Sequence, residues 1–132
     1  MSHDIALLVG RVVTRVQVSR AGVDGARRDS IVFEFSDGSA AKLFHDQDCC
    51  EYVSIEDVVG DFSDLVGVPL LTAEESSSKG EDDEWGDTST WTFYKFSTVK
   101  GYVDIRWFGS SNGYYSEGVD LRICELGSWA SQ

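Results

Sequence analysis

Two alternating runs, the second of them leading into Asp37-Gly38, restrict this chain more than any other feature. Val12, Thr14, Val16 and Val18 alternate with Val13, Arg15 and Gln17, and Ile31, Phe33 and Phe35 alternate with Val32 and Glu34. Period-two alternation of β-branched and aromatic residues is what a strand with one buried face requires. Asp-Gly supports the left-handed backbone of a tight hairpin, so Ser39 to Phe44 is expected to return antiparallel to the second run.

The chain then changes period. Ile55, Val58, Val59, Phe62, Leu65 and Val66 have the spacing of one helical face. Ser54 with Asp57 reads as a capping box, Gly60 interrupts, Asp61 caps afresh and Gly67 closes in a left-handed conformation. A short helical insertion near residues 54–66 is therefore expected. Residues 74–87, EESSSKGEDDEWGD, read as a flexible acidic loop. In the last third, Thr90 to Thr98, the run around Val103, Ile105 and Trp107, and the run around Val119, Leu121 and Ile123 read as three strands. A two-residue turn at Asn112-Gly113 would set Ile105 opposite Asp120 and put the apolar faces out of phase, so a wider loop is expected there. The expected fold class is α+β: a single, mostly antiparallel β domain over residues 1–132 with that helical insertion.

Charge is uneven. Residues 43–87 carry 1 basic side chain against 14 acidic ones, while the flanking thirds are near balance, for a total of −12. Such a field repels a nucleic-acid backbone, so direct DNA or RNA binding is not expected. No apolar run approaches the ~20 residues of a membrane helix, and the N-terminus lacks the pattern of a signal peptide. Three cysteines, two of them adjacent, make no disulfide framework, which suits a reducing cytoplasm.

One segment has a composition that no packing argument requires: His45-Asp46-Gln47-Asp48-Cys49-Cys50-Glu51, directly after an expected strand. Adjacent cysteines do not have zinc-site spacing, so no metal is assigned. Nearby carboxylates would raise a thiol's pKa, so no catalytic nucleophile is assigned either. No phosphate-cradling glycine motif is present, and no cofactor is expected. Binding uses these residues better. Tyr102, Arg106, Phe108, Tyr114 and Tyr115 combine π faces with a cation, and Ser110, Ser111, Asn112 and Gln47 add directional hydrogen bonds. The expected site joins the heptad to Arg106, Phe108, Ser111, Asn112, Tyr114 and Tyr115, with Arg106 holding an anionic group.

The segments HDQDCCEYVSIEDVVGDFSDLVGVPLLTAEE and TWTFYKFSTVKGYVDIRWFGSSNGYYSEGV resemble a family of small proteins of unknown function encoded by tailed bacteriophages and prophages. The similarity spans residues 30–120. It implies a virus-borne accessory protein of the bacterial host cytoplasm and brings no catalytic assignment. The expected function is non-enzymatic capture of a small nucleotide-type ligand, such as a host defence signal, by a homo-oligomer. The alternatives are an acidic nucleic-acid mimic that binds a host defence protein, and a virion or assembly component.

Overall fold

Strand alternation governs more of the chain than the hydrophobic spacing alone suggests. The computed structural model describes residues 4–21, 28–45, 51–80, 88–112 and 117–125. Its strands are β1 (Val13–Ser19), β2 (Ser30–Phe35), β3 (Ser39–Phe44), β4 (Tyr52–Gly60), β5 (Thr72–Lys79), β6 (Thr88–Thr98), β7 (Gly101–Ser111) and β8 (Asp120–Glu125). They form two antiparallel four-stranded sheets, ordered β1-β2-β3-β8 and β4-β7-β6-β5. Ile31, Phe33, Leu43 and Leu121 from the first sheet pack with Ile55, Phe96, Val103, Ile105 and Trp107 from the second. The ring centroids of Phe33 and Phe96 meet 5.1 Å apart across the sheets. The fold is a β-sandwich, with each sheet burying one face against the other.

The Asp37-Gly38 hairpin forms as expected, with Gly38 at φ 87° and Phe33 opposite Ala41. The helical insertion does not form. Residues 52–60 are strand β4, and Phe62–Leu65 is a single 3-10 turn. Among the described residues the only helical elements are that turn and another at Ile5–Leu8, so the class is all-β, not α+β. The physical reason is a β-bulge. The pairing of β4 with β7 shifts between Ile55 and Asp57, leaving Glu56 as the extra residue. One inserted residue turns an inward spacing of two into three, so Ile55 and Val58 imitate adjacent turns of a helix. Two end signals nevertheless hold: the Asp61 carboxylate accepts the Ser63 N–H at 2.9 Å, and Gly67 sits at φ 90°.

Two other expectations change. Residues 74–79, expected to open a flexible loop, belong to β5, while residues 81–87 lie outside the described residues. The last two strands do not form a hairpin, because β8 crosses to the first sheet and pairs with β3, Leu121 opposite Leu43. Crossing between sheets removes the phase conflict between Ile105 and Leu121. No helix among the described residues is long and apolar enough to cross a membrane.

The register brings the β1–β2, β3–β4, β5–β6 and β7–β8 connections to one end. Ser19 is opposite Ser30, Phe44 opposite Asp120, Tyr52 opposite Ser110 and Thr88 opposite Ser111. At this end Asp29, at the mouth of the β1–β2 connection, reaches the second sheet. Its buried carboxylate accepts the N–H groups of Ala21 and Ile55, each at 2.7 Å, and Arg20 donates to the Ile55 carbonyl at 2.7 Å. These two side chains supply the partners that a neighbouring strand would otherwise give the outer edge of β4.

Candidate functional site

Two polar clusters hold the loop end of the sandwich. His45 is buried, with Nδ1 2.7 Å from the Gly118 carbonyl oxygen. A carbonyl only accepts, so Nδ1 donates. Its Nε2 lies 3.6 Å from a Glu51 carboxylate oxygen, and the two side chains are 3% and 0% exposed. The second cluster centres on Glu117, whose buried carboxylate accepts from Thr88, from Thr90 at 2.8 Å and from Ser111 at 2.5 Å. Burial raises the Glu117 pKa, but the three hydroxyls and nearby Lys79 outweigh it and hold the group below its ordinary value. Gly109 makes room for this cluster, since a Cβ there would lie 2.3 Å from the Glu117 carbonyl oxygen.

The outer face of the second sheet is a different environment. Register sets its residues in cross-strand rows. Ser54, Phe108, Trp91 and Ser78 make one row; Asp57, Arg106, Phe93 and Ser76 the next; Val59, Asp104, Lys95 and Glu74 a third. The bulge at Glu56 places two successive acids beside one cation: Arg106 is 2.9 Å from Glu56 and 3.9 Å from Asp57. The same guanidinium stands 5.6 Å from the Trp91 ring centre, and Trp91 packs on Phe108 at 4.6 Å. The second and third rows enclose a depression of about 380 Å³, a volume within the range of small-ligand sites. Two buried polar atoms on its lining residues, Asp104 Oδ1 and Arg106 Nε, have no hydrogen-bond partner among the described residues. Phe93 is 37% exposed there, and Lys95 is in no ion pair with a described residue.

The residues expected to form one site are therefore distributed. His45, Glu51 and Ser111 share the loop end, where Asn112 is exposed. Arg106 and Phe108 lie on the outer face of β7, Arg106 four residues before Ser110. Asp46, Gln47, Asp48, Cys49, Cys50, Tyr114 and Tyr115 lie outside the described residues. Arg106 is engaged by the carboxylates of Glu56 and Asp57. Arg106→Ala is expected to lower stability by about 0.5–1 kcal/mol in chemical denaturation, since a half-exposed ion pair and ring contact are lost together.

The sequence reading missed Trp91, Phe93, Lys95, Asp104, Asp29 and Glu117. For the first four a signal existed. A two-residue turn at Val99-Lys100 sets Thr98 opposite Gly101, and counting back pairs Lys95 with Asp104 and Phe93 with Arg106. No local signal marks Asp29 or Glu117, which reach Ile55 and Thr90 across 26 and 27 residues of sequence.

The chain belongs to the family described as Domain of unknown function (DUF7448), which matches residues 6–121. No curated protein and no solved structure matches it.

Proposed function

We propose that this member of the family is a non-enzymatic capture protein, carried by a tailed bacteriophage or prophage, that takes a small nucleotide-type ligand on the outer face of its second sheet. The observation that carries the reading is the depression between the Asp57–Arg106–Phe93 and Asp104–Lys95–Glu74 rows. Phe93 offers a face on which a planar ring stacks. Asp104 Oδ1, buried and without a partner among the described residues, suits an amino group on the ring's edge. Lys95 takes the anion-holding role expected of Arg106, which Glu56 and Asp57 already neutralise.

A thermal-shift screen with mono-, di- and cyclic nucleotides tests this, because selective binding to the folded state raises stability. A shift of several degrees is expected, reduced at least tenfold in apparent affinity by Phe93→Ala and by Lys95→Ala. A shift that both variants retain would move the ligand elsewhere. A second reading, an acidic mimic that binds a basic groove on a host defence protein, is favoured by the surplus of Glu56, Asp57, Glu74 and Asp104 over Arg106 and Lys95 on this face. Silence toward nucleotides, with capture of one basic host protein that Asp57→Lys abolishes, would support it.

A further inference from the structure

Edge strands invite pairing, and folded proteins usually block them with bulges, prolines, charges or covering side chains. Two edges here are blocked. β1 carries a bulge at Thr14, and its start bridges to Val66 and Pro69. β4 carries the Glu56 bulge and the covering pair Asp29 and Arg20. β5 is flanked near its start by the Ile5–Leu8 turn, but among the described residues it carries neither a bulge nor a covering hydrogen-bonded pair. It runs eight residues in unbroken register against β6, without proline, and residues 74–79 are all exposed.

We infer that β5 is a dimerisation edge, on which a second copy of this chain pairs antiparallel and joins two four-stranded sheets into one of eight strands. A twofold axis normal to a sheet keeps each face on its own side, so only residues of like parity can be opposite one another. With Ser77 on the axis, Glu75 stands opposite the partner's Lys79 and Ser76 opposite the partner's Ser78, each twice. With Ser76 on the axis Lys79 meets Ala73, and with Glu75 on the axis like charges meet. Of these three registers, only the one centred on Ser77 pairs Glu75 with Lys79.

Neither Glu75 nor Lys79 has an ion pair within 4.0 Å among the described residues. Partial burial of the carboxyl, with Asp4 and Asp120 adding repulsion, outweighs hydrogen bonding with the Tyr94 hydroxyl and raises the Glu75 pKa above its ordinary value. The three serines between the charged positions are small enough to let two backbones approach to ladder distance.

Light scattering on the size-exclusion peak of the full chain, at low salt, tests the inference. Twice the chain mass is expected. Lys79→Glu should raise the dimer dissociation constant at least tenfold with an unchanged circular dichroism spectrum. Combining it with Glu75→Lys should restore the dimer, since the swap re-creates both cross-strand pairs. Ser77→Cys should form an oxidised dimer faster than the parent chain, because only the axial position meets itself at disulfide distance. A monomeric parent chain, a Lys79→Glu dimer of undiminished affinity, a double variant that stays monomeric, or no acceleration by Ser77→Cys would each overturn it.

Discussion

Asp29→Ala is expected to lower the unfolding free energy by about 3 kcal/mol, because two hydrogen bonds to a charged acceptor are lost and the buried N–H of Ile55 is left unpaired. The loss exceeds that of an ordinary surface acid, because Asp29 is 7% exposed and serves backbone on both sheets at once. Asp29→Asn should recover little of it, since an amide that offers one acceptor must turn an N–H toward a second donor. Urea denaturation gives the size of the effect, and hydrogen exchange gives its location. The Ile55 amide should exchange much faster in the variant while the amides of β6 remain slow. Uniformly faster exchange would mean that Asp29 supports global stability without guarding the β4 edge.

Glu117→Ala is expected to cost about 2–4 kcal/mol, because the hydroxyls of Thr88, Thr90 and Ser111 lose their shared acceptor in a buried position. Glu117 also contributes a pH dependence of known sign. Its folded pKa lies below the ordinary 4.5, so the unfolded chain binds the proton more readily. The contribution is complete above that ordinary value and is lost as pH falls through the lower folded one. Glu117→Gln should therefore flatten the acid limb of the stability profile below about pH 5. Gly109→Ala attacks the same cluster from β7, where its Cβ would meet the Glu117 backbone. The two substitutions share one site, so the double variant should lose less than the sum of the single losses. Strict additivity would mean that Gly109 serves only its own strand.

Local signals made about half of this architecture readable. The Asp37-Gly38 hairpin and the β6–β7 pair are short-range structures, in which a turn and an alternation fix the register without help from distant residues. β4 was not readable as a strand, because the bulge at Glu56 changes its inward spacing and the 3-10 turn then supplies Phe62 and Leu65 at three-residue separation. Together they reproduce a helical period from two non-helical elements. Within the described part of the expected site, strand parity separates the side chains. Arg106 and Phe108 face outward on β7, while Ser111 has turned inward to Glu117 by the end of the same strand. Parity was legible in β6 and β7, and applying it there would have led to Phe93, Lys95 and Asp104.

The crossing of β8 to β3 has a consequence for how the chain emerges from a ribosome. Roughly 75 residues separate Phe44 from Asp120, which pair in the finished sheet. At ~5–20 residues per second, one side of β3 stays bare for roughly 4–15 s after that strand is made. Ile31, Phe33 and Leu43 wait a shorter time, until the strands of the second sheet are made. The nascent chain carries an open β3 edge until translation reaches β8. Delivery of that strand, not formation of the early hairpin, is the event that lets the first sheet close.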